Sequence, residues 1–323
     1  MELYAATEKN IQKAAELIRS GGLVAFPTET VYGLGADGLN ATAAASIFEA
    51  KKRPFFDPLI LHIARVESLY DIAETPDSHM LALAEKFWPG PLTIVVKKKQ
   101  LVPDIVTSGL NTVAVRMPDH PVAKKLIELS RTPLAAPSAN RFGSISPTSA
   151  LHVSRQLRDS AGIILDGGEC RVGIESTIIA SSGSGITLLR PGGIPVEAIE
   201  EAAGIKLQAA DQGGLPNAPG QFPYHYSPEK PVYLVDRITE DIPGAGLLFF
   251  MEPSFACPPK RSLVLSPSGD LREAAATLFA HLHRLDSMDI DAIYAERVPE
   301  TGLGLGIMDR LTKASMKKQL IKT

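Results

Sequence analysis

Cysteine is nearly missing from this chain: Cys170 and Cys257 are its two examples in 323 residues. They lie far apart and match no paired metal-ligand spacing, which argues against a disulfide framework or a cysteine-built zinc site and fits a reducing, cytoplasmic setting. Long apolar runs are missing too. No stretch approaches the roughly 18 uninterrupted apolar residues of a membrane span, and the opening MELYAATEKN is acidic where a signal peptide would carry an apolar core, so a soluble protein with no membrane partner is expected. An excess of positive charge is also lacking. A formal net charge of −3 gives no broad basic surface for a phosphate backbone, so weak or no direct nucleic-acid binding is expected, and any polyanion held is small. Finally, no G-x-x-x-x-G-K-[ST] sequence occurs, which excludes a P-loop.

What the chain does have is apolar material for two domains, 45% of its residues. Thr7 can cap a helix over EKNIQKAAELIRS, and a strand, LVAF, follows two glycines. Helices at ATAAASIFEA, HMLALAEKFW, PVAKKLIELS, SALHVSRQLRD and PVEAIEEAAG alternate with strands at LILHIA, PLTIVVK, TVAVRMP, PLAAPS, GIILDGG, ESTIIAS and ITLLR. The fold class is therefore α/β, and strands that follow one another without a helix make the sheet mixed. From about residue 205 the chain turns rich in Gly and Pro, reading as a linker that nonetheless carries aromatics. Beyond it, VYLV, GLLFF, SLVLS and DAIYAE with helices at LREAAATLFAHLHRL and IMDRLTKASMKKQL predict a smaller, Rossmann-like α/β unit. The expected division is 1–204, a linker or lid at 205–230, and 231–323. Within the last unit, His281 and His283 read as surface residues pointing to different helix faces.

Several strand ends carry chemistry-bearing residues, which is where open α/β sheets bind ligands. FPTETVYGLGAD places Thr28, Thr30 and Tyr32 after an apolar strand. Its Gly33, Gly35 and Gly38 have dinucleotide spacing, but they follow a polar run and no acidic residue ends a second strand about 20 residues on, so that reading is set aside. EAKKRPFFDPLILHI brings Lys51, Lys52 and Arg53 to a helix end and His62 onto an apolar strand. Alone, the cations suit a helix dipole and the histidine a core position. Arg116 in TVAVRMP, Ser138, Asn140, Ser146 and Thr148 in PLAAPSANRFGSISPTSA, Ser176 in GIESTIIA and Arg190 in LLRPGGIP complete the set. Each has an ordinary structural explanation, and their common placement is the argument.

Taken in order, these blocks resemble the YrdC family, and the linker PGQFPYHYSP with the terminal GLGLGIMDRLTKAS is similar to its long two-domain form, that of the threonylcarbamoyl-AMP synthases. The resemblance implies a YrdC-like twisted open sheet with ATP, L-threonine and bicarbonate as substrates and Mg²⁺ held through the phosphates, with no metal ligand among the protein side chains. It implies a threonine pocket of Thr30, His62, Arg116 and Ser176. The ATP side would comprise Lys51, Arg53, Asp57, Thr112, Ser138, Asn140, Ser146, Arg190 and Tyr226, with Lys51, Arg53, Ser138 and Asn140 acting in catalysis. Two departures stand out: GQFPYHY lacks the linker's usual lysine and arginine, leaving the register between Tyr224 and Tyr226 open, and Asp57 stands where the family more often has asparagine. The product would pass to downstream tRNA threonylcarbamoyl-transfer proteins. Double-stranded RNA binding and carbamoyl transfer to another acceptor are the rival readings, and the second unit would stabilise or regulate the first.

Overall fold

The chain opens with β1 (Glu2–Ala5), largely exposed, and α1 (Glu8–Arg19), whose N-cap Thr7 accepts from the Asn10 amide. Ile11, Ala14, Ala15 and Ile18 recur at helical spacing and all four are buried. The structure, a computed structural model, describes residues 2–157, 160, 162–181, 185–210, 218–220 and 225–320. It continues through β2 (Val24–Phe26), β3 (Gly33–Asp37), α2 (Ala41–Lys51), β4 (Ile60–His62), α3 (Glu67–Ile72), α4 (Ser78–Phe87) and β5 (Leu92–Lys97). Next come α5 (Asp104–Thr107), β6 (Thr112–Arg116), α6 (Pro121–Ser130), β7 (Leu134–Ala135), α7 (Ala150–Leu157) and β8 (Ile163–Asp166). β9 (Thr177–Ser181), β10 (Ile186–Arg190), α8 (Val196–Ala203) and β11 (Gln208–Ala209) end the first sheet.

These strands form one mixed, 11-stranded sheet in the order β1-β8-β2-β3-β7-β4-β6-β5-β9-β10-β11. One core packs α2, α4 and α7 against the strands through Ile47, Phe48, Leu83 and Val153; another joins α1 and α6 to β2 and β8 through Ile18, Leu126 and Leu165. Every segment expected from periodicity is present. The unexpected ones are β1, β3, β11 and the short α3 and α5. Gly33 and Gly35 lie inside β3 rather than in a phosphate loop: a Cβ on Gly35 would come within 2.7 Å of the Phe26 ring, so glycine lets that ring lie flat on the strand.

A second sheet contains β12 (Val232–Val235), β13 (Ala245–Phe249), β14 (Ser262–Val264) and β15 (Ala292–Glu296), all parallel, in the order β12-β15-β13-β14. Helices α9 (Leu271–Asp286) and α10 (Gly304–Leu320) complete it. Its core is not closed on itself. Val31, Ile145, Ile174 and Tyr226 pack into the same cluster as Phe279, Leu282 and Ile307. Gly173 permits a close approach: at φ 78°, a Cβ there would lie 2.3 Å from the Ala275 carbonyl oxygen of α9. Among the described residues no helix is long and apolar enough to cross a membrane.

Candidate active site

Strand register gathers the site. β4 and β6 run parallel with His62 opposite Arg116, and antiparallel β5 sets Thr93 opposite Arg116 on the other side. β9 pairs with β5 from Thr177 onward, and antiparallel β10 returns Arg190 beside Ile178. The loop from β2 to β3, residues 27–32, closes the group. Together these strand ends and part of the linker enclose a cleft. Thr30, His62, Arg116 and Ser176 all line it, as do Arg53, Ser138, Arg190 and Tyr226.

On one side, Arg116 Nη1 donates to Thr30 Oγ1 at 2.9 Å, and Nη2 lies 2.6 Å from Glu29 Oε1, with both side chains of that ion pair buried. Thr30 also shares a 2.8 Å hydrogen bond with Thr28, so its hydroxyl is held from two directions. His62 Nδ1 lies 3.2 Å from the Ile60 carbonyl. Burial, with Arg116 adding to it, pushes His62 down to about 3, so the ring is neutral near pH 7 and Nδ1–H donates to that carbonyl.

Opposite, Arg53 donates from Nε to the Asp57 carbonyl and from Nη2 to that of Pro58, and Nη2 lies 2.8 Å from Asp57 Oδ2. Burial raises the Asp57 carboxyl further than Arg53, Lys51 and Arg190 pull it down. Asp57 is wholly buried and turned onto Arg53, and it does not line the cleft. Lys51 is also buried: its ammonium donates to the Ser138 carbonyl at 2.5 Å and to that of Asn140, fastening the S-x-N turn from behind. Burial and then Arg53 hold its pKa well below the ordinary lysine value. Asn140 donates to the Arg141 and Ser144 carbonyls, while its Oδ1 is buried without a hydrogen-bond partner among the described residues. Arg190 donates to the Ser176 carbonyl and hydroxyl and, from Nη1, to the Pro219 carbonyl. Ser176 Oγ meets Thr93 Oγ1 at 2.7 Å.

The linker enters the same cleft through Pro219, Gly220, His225 and Tyr226. Tyr226 adopts a left-handed backbone at φ 61°, is buried, and has a hydroxyl with no hydrogen-bond partner among the described residues. Burial pushes that phenol up, so the hydroxyl keeps its proton. His225 is held well below its ordinary value by burial and by the charges of Arg53 and Lys51. Tyr224, the other candidate register, lies outside the described residues.

Not every expected residue reaches the cleft. Lys51, Asp57 and Asn140 stand behind its wall, and Thr112 is half-buried at the far end of β6 from Arg116. Ser146 is buried with its hydroxyl given to Glu175. The surface reading of His283 is corrected: its ring stacks on His152 of α7 at 3.9 Å, and Nε2 lies 3.1 Å from the Ser146 carbonyl, because α9 packs that face against the first sheet's helices. Sequence reasoning passed over Glu29, Glu175, His225 and Arg310. Glu29 and Glu175 sit inside quoted motifs, flanked by hydroxyl residues in TET and EST, which was the available signal. Arg310 looks like any surface charge of an amphipathic helix.

Known proteins share sequence and fold with nearly the whole chain. Residues 16–192 match the Sua5/yciO/yrdC family model, described as telomere recombination, and residues 194–316 match the model described as threonylcarbamoyl-AMP synthase, C-terminal domain. The threonylcarbamoyl-AMP synthase of Pyrococcus abyssi (strain GE5 / Orsay) is 45% identical, across 95% of this chain and 94% of its own length. That of Bacillus subtilis (strain 168) is 40% identical, across 95% and 93%. The crystal structure of P. abyssi Sua5 complexed with L-threonine has a TM-score of 0.88 and 42% identity, covering 97% of this chain and 96% of that one.

Proposed function

The chain belongs to the Sua5/YrdC family in its long, two-domain form, and from that premise we propose how its cleft joins L-threonine, bicarbonate and ATP into L-threonylcarbamoyladenylate and pyrophosphate. Its activity is that of a threonylcarbamoyl-AMP synthase, a nucleotidyltransferase of tRNA threonylcarbamoyladenosine modification. The observation that carries the assignment of substrates to side chains is a single cleft lined by Thr30, His62, Arg116 and Ser176 together with Arg53, Ser138, Arg190 and Tyr226.

L-threonine binds between Thr30, His62, Arg116 and Ser176. Arg116 is held by Thr30 and Glu29 and keeps N–H groups over for a carboxylate, while the neutral His62 offers shape without adding charge. The threonine amine attacks bicarbonate carbon, water leaves, and a carbamate forms. A carbamate oxygen then bonds to the α-phosphorus of ATP as the bridging P–O bond breaks, and its electron pair departs on pyrophosphate. No protein nucleophile takes part. The chain supplies alignment and fixed charge: Arg53 and Arg190 face the phosphates, Ser138 donates to them, and Lys51 and Asn140 hold the turn on which Ser138 sits.

ATP enters as its magnesium complex. Among the described residues, the buried carboxylates Glu175 in the cleft wall and Glu29 and Asp57 behind it are each engaged by an arginine, which favours an ion carried on the phosphates over one ligated by the protein. Residues 1–204 form the catalytic unit and 205–230 a lid, supported by the four linker residues in the cleft wall. The second unit, 231–323, buttresses the lid through Phe279 and Arg310. The product passes to tRNA threonylcarbamoyl-transfer proteins in the cytoplasm, since the net charge of −3 gives this chain little hold on tRNA itself.

Pyrophosphate release from ATP, measured with bicarbonate and Mg²⁺, tests the reading. Release is expected to require L-threonine and to be much weaker with serine; release indifferent to the amino acid would overturn the acceptor assignment.

A further inference from the structure

Helix α10 lies in the second unit, yet its Arg310 is wholly buried beneath the catalytic cleft. Arg310 Nε donates to Glu175 Oε2 at 2.9 Å, and the guanidinium carbon sits 5.2 Å from the centre of the Tyr226 ring. Nη1 donates to the Pro191 and Gly306 carbonyls and to Asp309, so the side chain is fixed in place. Glu175 Oε1 in turn accepts the Ser146 hydroxyl. Two of the groups that Arg310 touches, Glu175 and Tyr226, line the cleft, and Glu175 adjoins Ser176, which Arg190 grips.

We propose that Arg310 is a positioning residue for the adenylating site: it cancels the charge of Glu175 toward the incoming nucleotide and holds the Tyr226 ring with its hydroxyl in the cleft. The proposal rests on the reading of the cleft as an ATP site. A buried carboxylate one residue from the Arg190 anchor repels phosphate unless a cation answers it; among the described residues Arg310 pairs with it directly, and Arg190 adds its charge from further off. Tyrosine at φ 61° is not held by its own backbone preference, so the packing of Arg310 and of Phe279, 5.7 Å from the ring centre, keeps it there. The second unit thereby supplies part of the active site and does more than brace it.

The test compares ATP binding by calorimetry, and KM for ATP against kcat, in the full chain and in Arg310→Met, Arg310→Lys and Arg310→Met/Glu175→Gln between pH 5.5 and 8. ATP binding by the unaltered chain tests the reading of the cleft; the pattern among the variants tests Arg310. In Arg310→Met, affinity for ATP is expected to fall roughly tenfold or more at pH 8. The deficit should shrink toward pH 5.5: with Arg310 gone, burial raises Glu175 against only Arg190 and the Ser146 hydroxyl, so acid begins to neutralise it. Glu175→Gln in the same chain should recover most of the binding at every pH, and lysine should recover part. The double variant buries no lone charge, so it carries the test even where Arg310→Met fails to fold. A deficit that is independent of pH, unrelieved by glutamine and proportional to lost thermal stability would overturn the proposal, leaving Arg310 a structural staple.

Discussion

Three arginines at the cleft meet a carboxylate before any nucleotide arrives: Arg53 meets Asp57, Arg116 meets Glu29, and Arg310 meets Glu175. Removing one partner of a buried pair strands the other charge, typically at a cost of about 3–5 kcal/mol. Arg53→Ala should therefore lose both turnover and stability, by about 3 kcal/mol in chemical denaturation. Arg53→Ala/Asp57→Asn should regain most of that stability and none of the pyrophosphate release, and recovery of turnover in the double variant would remove Arg53 from the chemistry. Tyr226→Phe separates the two quantities in the opposite direction. Its hydroxyl is buried without a partner among the described residues, so deleting it should leave stability unchanged or raise it by about 1 kcal/mol while KM for ATP rises. The cations and hydroxyls were legible in the sequence because they stand at the ends of apolar strands or, for Lys51 and Arg53, at the end of a helix. Their carboxylate partners were not, since nothing in KKRPFFDPL says whether Asp57 turns to the ligand or back onto Arg53, four residues before it.

Between elements, the contact of α7 with α9 sets an acid limit. His152 and His283 stack across it; burial and the neighbouring His283 and Arg155 push His152 down to about 3, and burial takes His283 to about 4. Both folded values lie below the ordinary 6.5, so the unfolded chain binds these protons first. Their stabilisation is complete above about pH 6.5 and is lost as pH falls toward 4, by at most about 1.4 kcal/mol per pH unit for each proton. Melting temperature followed from pH 7.5 to 4.5 should fall less steeply in His152→Phe, which keeps a stacked ring and cannot charge; parallel curves would show the pair to be inert. No helical pattern marks such a pair, because the two rings come from distant segments and meet only through tertiary packing. Local pattern also missed β3. GLGAD lacks the branched residues that announce a strand, and it pairs because Gly33 and Gly35 fit the Phe26 ring and β7 claims its other edge.

At the scale of the molecule, the two sheets share one apolar seam. Val31 adjoins Thr30 of the cleft, Ile174 adjoins Glu175, and both pack with Phe279 and Ile307 of the second unit. The composition shift near residue 205 predicts a boundary in sequence, but it carries no information on how the pieces pack, and Gly173 against Ala275 shows packing closer than any side chain allows. A chain ended at residue 204 loses Tyr226, Arg310 and the described residues of the proposed lid, and uncovers that seam directly behind the proposed threonine pocket. Pyrophosphate release should then drop at least about 100-fold, as expected when fixed charge and alignment are lost together. Binding of an apolar dye should rise as Val31, Ile145 and Ile174 meet water. A truncated chain that kept full activity and bound no dye would show that the cleft is complete in the first sheet alone, and that the second unit's grip on Glu175 and Tyr226 is incidental to the reaction.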